Sequence, residues 1–288
     1  MYLVFGQDRS NYQQAIFSIL SLLPQLHDND EVVVITDSCD RFEILNTKIR
    51  IIKISNETLE AWKGNYGNFF RIKIMAMLHV AKDTNNKSIL YLDADTFLFG
   101  NFQNLRVHLE NGYNIMHTNE GKLSASKSKS QKPMWKSLKG KTVENIVITD
   151  SLCMWNAGVI GISKAHIDAL DIALKLCDTI SKTDIKPRLI EQLSVSIALS
   201  HLGGIQSAEN DIGHYWGNKP MWNEKIEDVF LDNYFKNLTI EDLTQTIKTI
   251  DFKEIPIHIK SRDTKLRLQK LVSYIFKDRK VEFIKKRE

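Results

Sequence analysis

At 288 residues, 43% hydrophobic and 26% charged, the chain has ordinary globular composition and the length for one large α/β domain with an appendage. No run approaches the roughly 20 apolar residues of a bilayer span, and Met1 leads directly into Tyr2-Leu3-Val4-Phe5 without a basic leader, so the expected location is cytoplasmic. Cys39, Cys153 and Cys177 are odd in number, widely spaced and free of any Cys-x-x-Cys pair, and read as buried thiols in a reducing compartment. The net charge of +4 is uneven: residues 253–288 carry twelve Lys or Arg against five Asp or Glu, a basic tail on a mildly acidic body.

In chain order, Tyr2 to Phe5 predict a first strand, followed by the loop Gly6-Gln-Asp8-Arg-Ser10. A helix follows in which Ala15, Ile16, Ile19, Leu20 and Leu23 recur at helical spacing, closed by Pro24. Glu31 to Thr36 is a second, buried strand ending at Asp37, which is among the candidate ligand-binding residues. Ile49 to Ile54 is a third strand. Strands alternating with helices imply a Rossmann-like, mostly parallel sheet flanked by helices. There is no Gly-x-Gly-x-x-Gly after the first strand and no Gly-Lys-Ser/Thr loop, so neither dinucleotide nor P-loop chemistry is supported. A turn-rich loop, Trp62 to Asn68, leads into a helix from Phe69 to Lys82 with Arg71 and Lys73 in its first turn. Cations there oppose the helix dipole, a conflict relieved where the arginine faces a phosphate or sugar.

The centre of the sequence is Ser88-Ile-Leu-Tyr-Leu-Asp-Ala-Asp-Thr-Phe-Leu-Phe99. Ile89 to Leu92 read as a buried strand that delivers Asp93 and Asp95 to its C-terminal end. Two carboxylates that close repel unless a cation or donors lie between them. Hard oxygen ligands suit Mg²⁺ or Mn²⁺, and a divalent ion so held keeps positions open for substrate phosphates. Two other readings of Asp-x-Asp stand beside this one. One is plain turn chemistry; the other is a phosphatase-type Asp-x-Asp-x-Thr loop, against which Thr96 falls one place early.

After this strand come a helix from Asn101 to Glu110, with Asn101 as its cap, and a strand from Tyr113 to His117. The Ser/Lys stretch Lys122 to Lys132 has few apolar residues and reads as a solvated loop or a lid. The run Leu152 to Ile162 places Asn156, Ala157 and Gly158 at the start of a strongly apolar strand, small residues that let a ligand approach the backbone. A helix from Ala165 to Ile180 precedes a second one, Arg188 to Leu199, which opens on the polar pair Glu191 and Gln192. Asp211 to Trp222 is a loop that crowds His214, Gly217 and Lys219 together.

These residues resemble the metal-dependent GT-A glycosyltransferases, and among them glycosyltransferase family 8, which includes bacterial lipopolysaccharide galactosyl- and glucosyltransferases and glycogenin. The resemblance covers roughly residues 1–225, the expected catalytic domain, and leaves 226–288 as a helical, basic C-terminal region. It implies a uracil and ribose site at Val4-Phe5-Gly6 with Asp8, Asn11 and Tyr12, and an arginine on the donor sugar at Arg71. It further implies metal ligands Asp93, Asp95 and His214, and a donor-sugar wall at Asn156. The same resemblance puts the acidic-Gln pair at Glu191 and Gln192, with Gln192 beneath the anomeric carbon, and a diphosphate contact at Lys219 beside Gly217. Against the family's His-x-x-Gly-x-x-Lys-Pro-Trp, this chain lacks one residue before Lys219 and inserts Met221 between Pro220 and Trp222.

The function so implied is transfer of a hexose from a UDP-sugar to a glycan or lipopolysaccharide-type acceptor, with Mn²⁺ or Mg²⁺ as cofactor and retention of configuration. If Glu191 rather than Gln192 faces the anomeric carbon, a covalent glycosyl–enzyme route replaces the front-face one. The alternatives are an inverting GT-A enzyme and a non-catalytic nucleotide-sugar-binding scaffold. A nucleic-acid partner is not expected, because the basic residues cluster on one terminal helix without interleaved aromatics. On that helix Leu268, Leu271, Val272, Ile275 and Phe276 share a face surrounded by Lys265, Arg267, Lys270, Lys277, Arg279 and Lys280. This is a pattern suited either to an anionic bilayer or to docking on the catalytic domain.

Overall fold

The computed structural model describes residues 1–83, 87–183, 185, 187–259, 268, 271, 272 and 274–276. The first half of the chain runs β1 (Tyr2–Val4), α1 (Arg9–Leu22), β2 (Val33–Thr36), β3 (Arg50–Lys53), α2 (Asn56–Trp62), α3 (Arg71–Asp83), β4 (Ile89–Leu92), β5 (Thr96–Leu98), α4 (Phe102–Glu110) and β6 (Asn114–Met116). The second half adds β7 (Asn119–Lys122), α5 (Gln131–Leu138), β8 (Thr142–Val143), β9 (Ile146–Val147), β10 (Cys153–Trp155), β11 (Val159–Ile162), α6 (Ala169–Ile180), α7 (Ile190–Leu202), β12 (Ile205–Ser207), β13 (Ile212–His214), α8 (Lys219–Lys236) and α9 (Ile240–Lys248).

Strands β1, β2 and β3 pair in parallel, with Leu3 opposite Ile35 and Val34 opposite Ile51. A second sheet has the order β12-β6-β11-β4. Met1 joins the two: its amine donates to Leu90 O at 2.5 Å and its carbonyl accepts from Leu92 N at 3.1 Å. The second sheet is mixed, because β11 is antiparallel to both β4 and β6. The parallel pairing expected from the sequence is present in β1-β2-β3 and between β6 and β12, with β11 as the antiparallel insertion. The period-2 alternation of strand side chains divides the sheet's burial between its faces. Val34, Leu92, Ile115 and Val159 pack under α1, α4, α8 and α9, whereas Val33, Ile35, Tyr91, Met116 and Ile160 pack under α2, α3, α6 and α7. With both faces covered, the strands read as continuous apolar runs.

Caps set where the helices begin. Asp8 Oδ1 accepts from Ser10 N at 2.9 Å at the start of α1, and Asn101 Oδ1 accepts from Gln103 N at 2.9 Å at the start of α4. In the run 152–162, Asn156–Gly158 lead into the apolar strand β11 as expected, and a further short strand, β10, precedes them. The Ser/Lys stretch is ordered as a short turn followed by α5, because Leu123, Met134 and Leu138 are buried and anchor it. Of the cysteines only Cys177 is buried; Cys39 and Cys153 are half-buried, and all three are free thiols.

The expected boundary at residue 225 falls inside α8. Trp222, Ile226 and Val229 of that helix, with Leu243 and Ile247 of α9, belong to the same core as α1. Phe252 stacks on Phe97 with ring centroids 4.5 Å apart. The chain through at least Phe252 thus packs as part of the α/β body. Beyond it, Leu268, Leu271, Val272, Ile275 and Phe276 are exposed, while Lys265, Arg267, Lys270, Lys277, Arg279 and Lys280 lie outside the described residues.

Candidate active site

A cavity of about 1030 Å³ opens at the C-terminal ends of β1 and β4, lined also by the 156–158 turn, the start of α7 and the segment after β13. This is the rim at which open α/β sheets bind ligands. Asp93 follows β4 at the rim, with its N–H donating to Gly158 O at 2.8 Å. The intervening turn is closed by Thr96, whose Oγ1 donates to Asp93 O at 2.8 Å and shares a hydrogen bond with Ser18 at 3.2 Å. Thr96 is buried and committed to that turn, one place short of the position a phosphatase-type loop would need.

β13 pairs antiparallel with β5, His214 opposite Thr96, and this register carries the imidazole to the two carboxylates. Ligand atoms of Asp93, Asp95 and His214 all lie within 4.8 Å of one another. His214 is thus on a strand end and not in the expected loop. Gly158 makes room for it, since a Cβ there would lie 2.2 Å from His214 Cε1. Asn156 fixes the ring's tautomer. Its Oδ1 accepts from Gly158 N at 3.0 Å, which identifies that atom as the oxygen, and meets His214 Nδ1 at 3.1 Å, so Nδ1 carries the proton. His214 Nε2 then faces Asp95 Oδ1 at 3.4 Å. Two acceptors at that range require a cation between them or a second proton on the ring. Lys219 already places its ammonium 2.9 Å from Asp95 Oδ2. Burial resists ionisation of Asp95, but the His214 contact and Lys219 outweigh it and hold this carboxyl below the usual carboxylate range. Two carboxylates, an imidazole held in its ligand tautomer and a lysine drawn to the same point fit a divalent cation.

A second cation serves the other carboxylate. Lys73 Nζ lies 3.1 Å from Asp93 Oδ1 and 3.8 Å from Glu191 Oε1, and donates to Ala157 O at 3.0 Å. Tyr91 OH donates to Asp93 Oδ1 at 2.8 Å. Burial disfavours the Lys73 charge, yet Asp93 and then Glu191 more than compensate and raise its affinity for the proton. Glu191 is 3% exposed. Its burial outweighs the attraction of Lys73 and pushes its pKa up to about 7. Glu191 Oε1 and Gln192 Nε2 are buried without hydrogen-bond partners, and both residues line the cavity. Orphaned polar atoms facing a cavity are costly unless something binds there.

The remaining expected residues divide. Asn11 lines the cavity with Lys219. Gly6, Asp8, Tyr12 and Asp37 do not line it, but three of them form one framework: Gly6 N donates to Asp37 Oδ2 at 3.0 Å, and Tyr12 OH donates to Gly6 O and to Asp37 Oδ1, both at 2.8 Å. Gly6 sits at φ +95°, a conformation that L side chains rarely adopt, which explains the glycine in this turn. Arg41, unrecognised in the sequence, lies over the Tyr12 ring at 4.6 Å. Arg71 is turned away from the cavity. Its Nε donates to Asp178 Oδ1 at 2.6 Å and its Nη1 to Trp62 O at 2.8 Å, tying α3 to α6. The helix-start cation that faces the site is Lys73, one half-turn on. Gly217 packs beneath His258, where a Cβ would lie 1.9 Å from Nδ1. Trp216, 54% exposed, lines the cavity together with His214 and Lys219.

The fold and this site define a GT-A glycosyltransferase. The model of glycosyl transferase family 8 matches residues 22–202, and the chain belongs to that family. It is similar to the galactosyltransferase LgtC, solved in complex with donor and acceptor sugar analogs, at TM-score 0.53 and 13% identity over 88% of this chain and 98% of that one. It is less similar to mouse xyloside xylosyltransferase 1, at TM-score 0.46 and 12% identity over 72% and 83% of the two chains. No curated protein sequence matches it. Among the described residues no helix is long and apolar enough to cross a membrane.

Proposed function

We propose that the protein transfers a hexose from a UDP-sugar, held through a divalent cation, to a glycan acceptor with retention of anomeric configuration. The supporting observation is the convergence in one cavity of the Asp93, Asp95 and His214 donor atoms with the unpartnered amide of Gln192. Asp93, Asp95 and His214 would hold Mn²⁺ or Mg²⁺, the imidazole favouring Mn²⁺. When bound, the ion supplies Lewis-acid stabilisation of the diphosphate leaving group.

The chain's own residues account for the rest. Lys219, within reach of the same point, adds positive charge that counts most as the sugar–oxygen bond breaks and negative charge grows on the leaving oxygen. Gln192 is too weak a nucleophile for a covalent intermediate, and Glu191 holds its proton to about pH 7 in the unliganded protein. Both favour a front-face route. The donor's C1–O bond breaks with its electron pair leaving on UDP, the acceptor oxygen bonds to C1 on the same face, and the acceptor proton passes to the departing phosphate. Glu191 and Gln192 then hydrogen-bond and orient the sugar. The base and ribose would lie at the end of the cavity lined by Asn11, against the framework of Gly6, Tyr12 and Asp37, with Asp8 at the start of α1 and Arg41 over the Tyr12 ring.

Calorimetric titration of UDP with Mn²⁺ and with EDTA, on wild type and Asp95→Ala, tests this reading. Metal-dependent binding that the substitution removes is expected, followed by hydrolysis of a UDP-hexose to the sugar of unchanged anomeric configuration. Equal binding with and without metal would remove the carboxylate pair from the mechanism, and an inverted product would remove the retaining route. We further propose a cytoplasmic protein that touches an anionic bilayer through its C-terminal segment, on the strength of exposed Leu268, Leu271, Val272, Ile275 and Phe276. Failure to sediment with anionic vesicles at low salt would overturn this.

A further inference from the structure

One wall of the cavity belongs to a segment whose charge is unlike that of the rest of the body. Residues 122–141 hold seven lysines, at 122, 127, 129, 132, 136, 139 and 141, and no acidic residue. Residues 1–121 and 142–252 together hold 20 basic and 30 acidic residues. All seven lysines are exposed. Among the described residues the lysines in ion pairs are Lys48, Lys63, Lys73, Lys219 and Lys236, so none of the seven is neutralised by a neighbour.

Within this segment the sequence alternates Ser126-Lys127-Ser128-Lys129-Ser130, and the structure sorts the two residue types. The three serines are half-buried and line the cavity, while Lys127 and Lys129 are exposed beside them. The wall is held in place rather than free: Ser126 Oγ donates to Gln131 Oε1 at 2.6 Å, and Gln131 Nε2 donates to Glu120 Oε2 at 2.8 Å. Hydroxyls facing inward suit sugar hydroxyls. An unpaired row of ammonium groups along the same lip focuses a positive potential on the entrance, and Arg188, also lining the cavity, adds to it.

Building on the glycosyltransferase reading, we propose that this lip is the acceptor-docking surface and that the acceptor is anionic, a glycan whose phosphate or carboxylate groups lie along Lys127, Lys129 and Lys132. A bilayer is the poorer occupant. Surface-bound membrane segments insert apolar side chains, and here Leu123, Met134 and Leu138 are buried beneath the lip, whereas exposed Leu231, Tyr234 and Phe235 lie on α8.

The test uses the full chain and the triple variant Lys127→Gln, Lys129→Gln, Lys132→Gln, with circular dichroism and UDP binding as controls for fold and donor site. The probes are phosphorylated maltohexaose, the same oligosaccharide after phosphatase treatment, inorganic phosphate, and phosphatidylglycerol vesicles. The expected result is binding of the phosphorylated oligosaccharide that weakens with salt, falls about tenfold or more in the variant, and exceeds that of the dephosphorylated form and of inorganic phosphate. UDP binding and acceptor-free hydrolysis of a UDP-hexose should not change in the variant, so failure of the donor reading would appear separately as loss of those signals in wild type. The proposal is overturned if the two oligosaccharides bind alike, if the variant binds as wild type does, if the phosphorylated oligosaccharide does not bind, or if only the vesicles do.

Discussion

Replacing Glu191 with glutamine should make the unliganded protein more stable at neutral and alkaline pH, and the size of the effect follows from the burial of one carboxyl. In the unfolded chain Glu191 ionises at the ordinary glutamate value of 4.5; in the fold, with 3% of its surface exposed, it does so at about 7. A folded-state value above the unfolded one means that the native protein binds the extra proton, so the stabilising contribution is complete below pH 4.5 and is lost as pH rises to about 7. At about 1.4 kcal/mol per pH unit, the loss reaches about 3 kcal/mol above pH 7. The amide introduced by Glu191→Gln mimics the protonated carboxyl and never ionises. Urea unfolding of both proteins in EDTA should therefore give similar stabilities near pH 4.5, with the variant ahead by up to about 3 kcal/mol at pH 8. Taking the difference between the two proteins removes every other titrating group. A difference that is constant from pH 4.5 to 8, or one that favours wild type at pH 8, would refute the argument that burial dominates the pairing with Lys73.

Gly158→Ala would drive a methyl into the His214 ring. Divalent-dependent UDP binding should weaken at least about tenfold at a cost of about 1–3 kcal/mol in stability; unchanged metal-dependent binding would show that the imidazole is not needed there. Arg71→Ala removes the tie from α3 to Asp178 and Trp62 O and should lower stability by about 1–3 kcal/mol, leaving the donor KM unaltered. A raised KM at unchanged melting temperature would instead give this arginine to the sugar. Lys219→Gln should act in opposite directions on the two ligands. Mn²⁺ alone, followed by electron paramagnetic resonance, should bind as well or better once the competing ammonium is gone, while UDP in the presence of Mn²⁺ binds more weakly. Parallel losses for both would mean that Lys219 only props Asp95.

Local pattern in the sequence was enough for much of this molecule. Apolar runs bounded by turn residues, helical spacing in α1 and capping by Asn101 depend on contacts within a few residues, and the elements they predict are present with small shifts of their ends. Asp93 and Asp95 were legible for the same reason, since one strand delivers both. What tertiary structure alone decided is which side chains meet across long separations. The register of β13 on β5 brings His214 to Asp95, and Gly158, read from sequence as room for a ligand, proves to be room for that imidazole. Arg71 and Lys73 look interchangeable in the first turn of α3. Two residues advance a helix by about 200°, so they point to different surroundings, one to Asp178 and the other to Asp93. The short strand β10 and the joining of α8 and α9 to the main core depend likewise on distant partners, as does the ordering of the lysine-rich wall on three buried apolar side chains. A linear pattern carries the periodicity of each element, but only the packed chain sets the direction in which each element faces.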